Sequence, residues 1–428
     1  MSSLNNQIIR DIEFRSFEEI ANYQEALLKN QIEFVMRNSK YYSKLCLKHS
    51  SPNLNEIPFT EKSHLSENND SFLAVKRGEV AEICMTSGST GNQVSIYLSK
   101  KDLNRLALNE KVTFERMGIG KGDIVQLMLT LDKQFMAGIA YYSGLLETDA
   151  TILRIGPSSP EIQLLSLIKN NVTCLIAIPS AILKLINYAH EISFDLSSLA
   201  LKKILCIGEP IYTKDLKFNL LSSKILQSLP VELFSTYASS EMQTAFTDCS
   251  SHHGLHINPS LIYVEVVDEN GNQVKNREIG EVVVSPLGVE AMPLLRYKTE
   301  DICEFILEPC PCGRNTIRLG PVLGRKNQML KLNGTTIFPT AIIQILNTDK
   351  SIEDFVIIAT KDSFGLDNLH IHLKQTVSDL QYLAIIEKKL QSMLRVSISI
   401  STITEADINK IRGGLNSSKS IKFIDRRN

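Results

Sequence analysis

The sequence lacks an excess of charge of either sign. Its 46 Lys and Arg residues nearly balance its 47 Asp and Glu residues, so the net charge at pH 7 is -1. A nucleic-acid surface or an anionic-membrane surface usually carries a clear excess of basic residues, and the composition provides none. We therefore expect no nucleic-acid or membrane partner, and small molecules or locally bound anions stay open as ligands.

The sequence also lacks a hydrophobic run long enough to cross a membrane. The charge-free candidate for a span, residues 135–146, contains Gly138 and Gly144 and is shorter than the ~20 residues that a helical span needs. The first residues contain no apolar signal-peptide segment, because Asn5, Arg10 and Glu13 interrupt it. From these absences we expect a cytoplasmic protein.

Cysteine is too rare to indicate a disulfide scaffold, since the 428 residues include eight. Cys46, Cys84, Cys174 and Cys206 lie in or beside apolar runs, which predicts buried thiols. Apolar residues make up 43% and charged residues 22%, as in ordinary globular proteins. A chain of this length exceeds one comfortable hydrophobic core, so at least two domains are expected.

Strands and helices alternate between residues 99 and 207. Strands are predicted at residues 123–131, 150–154, 172–178 and 203–207, and helices at residues 99–116, 135–146, 159–169 and 180–190. This alternation predicts an α/β fold, with a largely parallel sheet and helices on both faces. From about residue 258 the pattern changes to short alternating strands, and residues 325–428 form a compact α+β segment. We therefore predict a first domain at 1–324, with a small β subdomain at about 258–324, and a second domain at 325–428.

A loop of small and hydroxylated residues follows the first predicted strand. It consists of Thr86, Ser87, Gly88, Ser89, Thr90 and Gly91. Glycine lets the backbone approach an anion, and hydroxyls and consecutive N–H groups can donate to phosphate oxygens. Because Asn92 stands where a Walker loop has lysine, the loop is not of that kind. An ordinary Ser/Gly hairpin is the alternative interpretation.

Three cysteines and one histidine have spacings typical of a metal site. They are Cys249, His256, Cys310 and Cys312. Three thiolates and one imidazole can complete the tetrahedral shell of a structural Zn²⁺. His252 and His253 are alternative ligands, and reduced thiols on adjacent loops are the alternative to a metal. Cys303 lies in an apolar run and is predicted to be a buried thiol.

The order of motifs between about residues 57 and 427 resembles the adenylate-forming superfamily, and within it the phenylacetate–CoA ligase family. The matching segments are residues 86–91, 207–210, 237–241, 296–301, 324–330, 333–339 and 419–427. In the family these read T-S-G-S-T-G, G-G/A-E-P, Y-G-x-T-E, R-Y-R-T-G-D, G-R-x-D-D-M-L, G-x-x-x-F-P and K-x-x-R-x-x-D-x-R. Its departures from them include Ile207, Ala238, Ser240, Glu300, Asn327, Gln328 and Lys422. The resemblance implies a large N-terminal adenylate-forming domain and a mobile C-terminal domain that acts as a lid.

The resemblance also implies a role for individual residues. The loop from Thr86 to Gly91 would hold the β- and γ-phosphates of ATP, and Glu241 would bind Mg²⁺. The adenine would lie among Gly208, Glu209, Pro210, Ser235, Tyr237, Ala238, Ser239 and Ser240, with Tyr237 stacked on it. Asp301 would accept the ribose hydroxyls, and Arg325 would donate to ribose or phosphate. Lys419 would neutralise charge between the carboxylate and the α-phosphate, unless it is a solvated lysine of a basic tail.

By this resemblance the protein is an ATP-dependent ligase. It would convert a carboxylic acid, which the resemblance implies is aromatic, to an acyl-adenylate and then to a thioester. The acceptor would be coenzyme A or the phosphopantetheine of an acyl carrier protein. The implied cofactors are ATP, Mg²⁺ and structural Zn²⁺, and a homodimer is a candidate assembly. Two alternatives stay open: an adenylyl transferase like the coenzyme F390 synthetases, and a degenerate nucleotide-binding protein.

Overall fold

The computed structural model describes residues 11–45, 53–86, 94–332, 335–349, 351–362, 366–375, 380–394, 398–412 and 421–427. The chain divides into two compact units, Met1–Val322 and Leu323–Asn428. This division lies close to the predicted boundary at residue 324. Each unit has its own hydrophobic core, as expected for a chain of this length.

The helices and strands of the first unit alternate over most of its length. Its helices are α1 (Phe17–Asn38), α2 (Lys40–Leu45), α3 (Lys62–Asn68), α4 (Lys100–Arg116), α5 (Met136–Leu146), α6 (Pro160–Lys169), α7 (Pro179–Glu191) and α8 (Leu220–Ser228). Its strands are β1 (Val80–Met85), β2 (Ser95–Ser99), β3 (Ile124–Leu127), β4 (Thr151–Arg154), β5 (Cys174–Ala177), β6 (Lys203–Cys206), β7 (Glu232–Ser239), β8 (Thr244–Thr247), β9 (Leu255–His256), β10 (Ile262–Val267), β11 (Ile279–Pro286), β12 (Tyr297–Ile306) and β13 (Arg318–Leu319).

One sheet runs through the first unit, with the strand order β10-β11-β12-β13-β9-β8-β7-β6-β5-β3-β4. Strands β7, β6, β5, β3 and β4 are parallel, which confirms the predicted α/β fold. The strands from β8 to β13 pair antiparallel. The β region near residues 258–324 is therefore continuous with the parallel strands, and the two-residue strands β9 and β13 make the connection. Such short strands leave no periodic pattern in a sequence.

Helix α4 begins where the sequence predicts, because Ser99 and Asp102 cap it reciprocally. The Ser99 hydroxyl accepts from the Asp102 N–H at 3.2 Å, and the Asp102 carboxylate accepts from the Ser99 N–H at 2.8 Å. The same carboxylate accepts from the N–H groups of Glu290 and Ala291, at 2.8 and 2.9 Å. The cap thus fixes helix α4 to the segment between strands β11 and β12.

The second unit is a smaller α+β structure. Its strands are β14 (Gly324–Arg325), β15 (Leu330–Leu332), β16 (Thr335–Ile337), β17 (Ile352–Lys361), β18 (Asp367–Gln375), β19 (Ser399–Thr402) and β20 (Phe423–Asp425), and its helices are α9 (Pro339–Asn347), α10 (Leu380–Leu394) and α11 (Glu405–Ile411). Strands β19, β18, β17 and β20 form one sheet in that order. Across both units, the described residues include no helix that is long and apolar enough to cross a membrane.

One buried carboxyl in the first unit has an incomplete set of hydrogen bonds. Glu110 of helix α4 is 3% exposed, and its Oε1 accepts from the Asn109 side chain at 3.1 Å. Its Oε2 has no hydrogen-bond partner within the described part of the chain. Burial disfavours the charged form and raises the pKa of Glu110 to about 8, although Asn109 and Arg116 oppose the shift. Near pH 7 the folded protein therefore holds a proton on Glu110 that the unfolded chain releases.

This proton makes stability depend on pH. Because the folded-state pKa is raised, the contribution of Glu110 is fully present below pH 4.5 and is lost as the pH rises through about 8. Glu110→Gln removes this titration, so between pH 5.5 and 8.5 the wild type should lose about 3 kcal/mol of unfolding free energy relative to the variant. Urea unfolding midpoints of both proteins across this range measure the difference. Parallel pH profiles would contradict the assignment.

Candidate nucleotide site and metal cluster

Two residues of the predicted nucleotide site meet in the first unit although 64 positions separate them. The Tyr237 hydroxyl, near the end of strand β7, donates to Asp301 Oδ2 in strand β12 at 2.8 Å. Both residues are 8% exposed. The hydrogen bond fixes the plane of the aromatic ring, and a carboxylate that accepts one hydroxyl retains capacity to accept others. The pair can therefore present a flat ring beside an acceptor, as adenine and ribose require.

The backbone of strand β12 just before Asp301 explains the glycine that is usual in the family motif. Glu300, where the family has glycine, has φ of 65°, in the left-handed region that favours glycine. The Asp301 N–H donates to the Thr299 hydroxyl at 3.2 Å, and this hydrogen bond holds the backbone of Asp301 in place. The departure at Glu300 thus keeps the loop geometry of the motif with a different residue.

The predicted Mg²⁺ ligand contacts strand β12, the strand that carries Asp301. Glu241 is 8% exposed, and its Oε1 accepts from the Tyr297 hydroxyl at 3.4 Å. Arg105 of helix α4 fixes the loop that carries Glu241. Its Nη1 donates to the Gln243 carbonyl, and its Nε donates to the Leu287 carbonyl at 2.6 Å. Burial lowers the pKa of this guanidinium to about 10, so it stays charged at neutral pH. A carboxylate oxygen on a fixed loop suits a hard divalent cation.

Strands β1 and β2 enclose the predicted phosphate loop as expected. They pair antiparallel from Val80 with Ser99 to Met85 with Ser95. Thr86 closes the base of the loop, since its N–H donates to the Val94 carbonyl at 2.9 Å and its hydroxyl accepts from the Val94 N–H at 3.0 Å. That hydroxyl can still donate to an anion. Ser87, Gly88, Ser89, Thr90 and Gly91 lie outside the described residues, and their role stays a prediction.

The turn after strand β6 is held from the side of helix α7. The Glu209 carboxylate accepts from the N–H and the hydroxyl of Ser180, both at 2.9 Å. Gly208 has φ of 73°, which a residue with a side chain rarely adopts. The Pro210 carbonyl accepts from the Asn219 side chain at 2.7 Å. The Glu209 side chain therefore anchors the turn to helix α7. In this arrangement we expect a ligand to contact the backbone of Gly208 rather than the Glu209 carboxylate.

The four predicted zinc ligands converge in the first unit. The Sγ atoms of Cys249, Cys310 and Cys312 and a ring nitrogen of His256 all lie within 4.8 Å of one another. Cys249 Sγ is 3.7 Å from Cys310 Sγ, and Cys312 Sγ is 3.6 Å from His256 Nε2. Hydrogen bonds from Cys249 and Cys310 lower the pKa of the Cys312 thiol. Three sulfurs and one nitrogen at this spacing fit a closed tetrahedral Zn²⁺ site.

Backbone geometry and a second layer of hydrogen bonds prepare this cluster. Gly313, with φ of 88°, closes the turn by donating its N–H to the Cys310 carbonyl at 2.8 Å. A hydrogen bond of 2.7 Å between His256 Nδ1 and Thr316 Oγ1 leaves Nε2 facing the sulfurs. Arg314 joins the cluster to the N-terminal segment, since its Nη1 lies 3.6 Å from Cys312 Sγ and its Nε donates to Glu13 Oε2 at 2.7 Å.

The alternative histidine ligands lie apart from the cluster. His252 Nδ1 contacts the Tyr212 hydroxyl at 2.9 Å and Asp248 Oδ2 at 3.3 Å, and its ring contributes no atom to the group of four. His253 is not among the four either. Cys303 is fully buried in a hydrophobic core, as are Cys84, Cys174 and Cys206, while Cys46 lies outside the described residues. The structure therefore selects His256 as the imidazole, while the identity of the metal stays a proposal.

The backbone just after Arg325 is held by Arg427 in the second unit. Arg427 donates to the carbonyls of Asn327 and Met329 at 2.9 and 2.8 Å and binds Asp425. The family's closing D-x-R motif thus holds the backbone next to Arg325. Lys419 lies outside the described residues, so its catalytic role stays a prediction.

Sequence reasoning missed several residues that support the site. Glu13, Arg105, Tyr212, Asp248 and Arg314 are buried or half-buried polar groups that make long-range hydrogen bonds. A charged residue inside an amphipathic helix, such as Arg105, is a weak signal that could have been noticed. The partners of Glu13 are more than a hundred positions away, and nothing local in the sequence indicates them.

Comparisons with known proteins identify the family of this chain. A family model described as "AMP-binding enzyme" matches residues 17–291. A phenylacetate-coenzyme A ligase of Thermus thermophilus is 26% identical over 342 residues, which are 77% of this chain and 75% of that protein. The phenylacetate-coenzyme A ligase of Escherichia coli K12 is 22% identical over 390 residues, or 88% of this chain and 86% of that protein.

Solved structures share the fold at lower sequence identity. A 2-hydroxyisobutyryl-CoA ligase in the postadenylation state, in complex with R3-HIB-AMP, matches with a TM-score of 0.82 at 18% identity. The match covers 97% of this chain and 91% of that one. The O-succinylbenzoate coenzyme A synthetase of Bacillus subtilis, in complex with ATP and magnesium, matches with a TM-score of 0.56 at 16% identity over 75% of this chain and 66% of that one.

Proposed function

This chain belongs to the AMP-binding enzyme family, and on that premise we propose that it activates a carboxylic acid with ATP and transfers the acyl group to coenzyme A. The resemblance to phenylacetate–CoA ligases that the motifs predict is confirmed, as is the class of AMP-forming acid–thiol ligases. The observation that carries the proposal is the hydrogen bond between Tyr237 and Asp301, with Glu241 on the adjoining loop.

The first half-reaction forms the acyl-adenylate. A carboxylate oxygen of the acid attacks the α-phosphorus of ATP, the bond to the bridging oxygen breaks, and pyrophosphate leaves. In this proposal Tyr237 and Asp301 fix the nucleoside, while Thr86 and the residues after it hold the leaving phosphates. Glu241 holds Mg²⁺, which when bound offsets the negative charge on the phosphates. Catalysis therefore comes mostly from positioning and electrostatic stabilisation.

The second half-reaction forms the thioester. The sulfur of the acceptor attacks the carbonyl carbon of the acyl-adenylate, the bond to the phosphate oxygen breaks, and AMP leaves. We propose coenzyme A as acceptor because the curated relatives are named coenzyme A ligases. The phosphopantetheine of a carrier protein would present the same thiol, so it should be compared with coenzyme A as acceptor in a thioester-formation assay. The names of those relatives also favour an aromatic acid.

A panel of acids in a pyrophosphate-exchange assay tests the proposal. The purified protein, ATP, Mg²⁺ and labelled pyrophosphate are incubated with one acid at a time, including phenylacetate, benzoates and short aliphatic acids. We expect exchange only when a suitable acid is present, and strongest with an aromatic acid. Exchange with no acid but with a phenolic acceptor would favour an adenylyl transferase instead. Absence of exchange with every acid would contradict the ligase proposal.

Glu241→Gln is expected to weaken the use of Mg²⁺ without unfolding the protein. The amide keeps the volume and the hydrogen bond to Tyr297 but loses the charge that holds the cation. The Mg²⁺ concentration needed for half-maximal exchange should rise about tenfold or more. Glu269→Gln is the matched control, since it removes the same charge from an exposed turn. An unchanged Mg²⁺ requirement in Glu241→Gln would count against this ligand.

A further inference from the structure

We propose that Asp248 is a positioning residue that sets the spacing between two segments on either side of the adenine. The inference rests on the proposed function, because it concerns how the same site binds ATP. One segment is the turn from Gly208 to Pro210 after strand β6, and the other is the part of strand β7 from Ser235 to Tyr237. The side chain of Asp248 is connected to both.

The connection to strand β7 is direct. Asp248 follows strand β8 and is fully buried. The Ser235 N–H donates to Asp248 Oδ1 at 2.9 Å, and the Asp248 N–H donates to the Ser235 carbonyl at 3.2 Å. The carboxylate therefore fixes the backbone two residues before Tyr237, whose hydroxyl binds Asp301. A shift of Asp248 would move the ring that we place against adenine.

The connection to the Gly208 turn runs through Tyr212. The Tyr212 hydroxyl donates to Asp248 Oδ2 at 2.5 Å, and its ring stacks on Phe218 with centroids 5.3 Å apart. Tyr212 is 4% exposed and follows Pro210 by two residues. Stacking holds the ring, so its hydroxyl can transmit the position of the carboxylate to the turn.

Other contacts hold the same turn from different directions. Glu209 binds Ser180 of helix α7, and Pro210 binds Asn219 beside helix α8. These contacts orient the turn relative to helices. The Tyr212–Asp248 hydrogen bond instead connects it to the strand that carries Tyr237. Because a buried acceptor that loses a donor incurs a desolvation cost, both hydrogen bonds are expected to persist together.

Asp248 has a third neighbour, His252, whose Nδ1 lies 3.3 Å from Oδ2. His252 is half-buried, and its backbone N–H donates to the Cys249 carbonyl at 2.9 Å. The carboxylate thus also contacts the loop that bears the first metal ligand. We choose Tyr212 for the test because it is not itself in this loop. Its hydroxyl also contacts His252 Nδ1 at 2.9 Å, so the metal content of the variant is measured to show that the loop is intact.

Tyr212→Phe removes one hydroxyl and keeps the stacked ring. If Asp248 sets the spacing of the two segments, the Kd for ATP in the absence of any acid should rise about five- to tenfold. A change of this size corresponds to the free energy of about one buried hydrogen bond. In the exchange assay the KM for ATP should rise by the same factor, while kcat and the KM for the acid stay close to wild type. Isothermal titration calorimetry with Mg-ATP and steady-state exchange measure these quantities.

Two further variants complete the design. Tyr23→Phe is the matched control. It removes a hydroxyl of helix α1 that contacts Ser260 and lies far in sequence from the two segments, so it should leave ATP affinity unchanged. Asp248→Asn keeps an acceptor for the Ser235 N–H but loses the carboxylate that accepts from Tyr212, so it should reproduce the KM effect with normal metal content. Wild-type ATP affinity in Tyr212→Phe, with only a lower unfolding midpoint, would overturn the proposal, because it would show a purely structural role.

The binding measurement separates this proposal from the function on which it rests. If no acid supports exchange but Tyr212→Phe still weakens ATP binding, the ligase proposal fails and the role of Asp248 stands. If acids support exchange and Tyr212→Phe binds ATP like the wild type, the ligase proposal stands and the role of Asp248 fails.

Discussion

Cys310→Ala is expected to remove the bound zinc and to lower the thermal unfolding midpoint by about 10 °C or more. Cys310 is buried, and its sulfur lies 3.7 Å from that of Cys249. Loss of one ligand from a closed four-ligand site leaves an open shell, and the remaining thiols must then be protonated in a buried place. Metal analysis of the purified protein and a thermal melt measure the two effects.

The matched control is Cys303→Ala. It removes the same buried thiol from strand β12, outside the cluster of four, and should leave about one zinc per chain. A wild-type protein that is folded and metal-free would contradict the zinc site. So would a Cys310→Ala variant that retains its full zinc content.

Loss of the metal should also weaken the contacts of the N-terminal segment around Glu13. The Glu13 carboxylate is buried between Arg116 and Arg314, and the Glu13 carbonyl accepts from the Asn315 N–H at 2.8 Å. Arg116 also donates to the His256 carbonyl at 3.3 Å. Both arginines therefore connect Glu13 to the loops that carry the ligands. A disordered ligand loop would leave Glu13 as a buried charge with weakened partners, which is a costly state.

The ligand set could be predicted from the sequence because its chemistry is local and specific. The pair Cys310 and Cys312 lies in a tight turn, and few other residue types satisfy a soft metal ion. The sequence predicted His256 and left His252 and His253 as alternatives, because the choice depends on which residue the strands bring to the three cysteines. His256 is in strand β9, whose two residues pair with β8 and β13.

The nucleotide site shows the same division between local and long-range information. Tyr237, Glu241 and Asp301 were predicted because each belongs to a short motif, and these motifs occur in the order that the resemblance requires. Tyr212 and Asp248 were not predicted, since 36 positions separate them and neither belongs to a recognised motif. Glu110 was missed for a related reason: an acidic residue in an amphipathic helix is normally solvated, and only the packing of helix α5 against it shows that it is buried.

Lys419→Ala is expected to reduce acid-dependent pyrophosphate exchange by roughly a hundredfold or more. The attack of a carboxylate on an α-phosphate brings two anions together, and a lysine ammonium between them offsets that repulsion as the new bond forms. The second half-reaction has no such pair of anions, because the acid has already become a mixed anhydride with AMP. Thioester formation from a supplied acyl-adenylate should therefore stay close to the wild-type rate.

Lys410→Ala is the control for this experiment, because Lys410 is exposed on helix α11 and its loss changes the charge of the same unit equally. Single-turnover assays that start from ATP plus acid, or from acyl-adenylate plus coenzyme A, separate the half-reactions. A loss of equal size in both would mean that Lys419 supports the unit as a whole. Full exchange activity in Lys419→Ala would assign the charge-neutralising role to another cation. A selective loss in the first half-reaction is what a lysine acting on the α-phosphate requires.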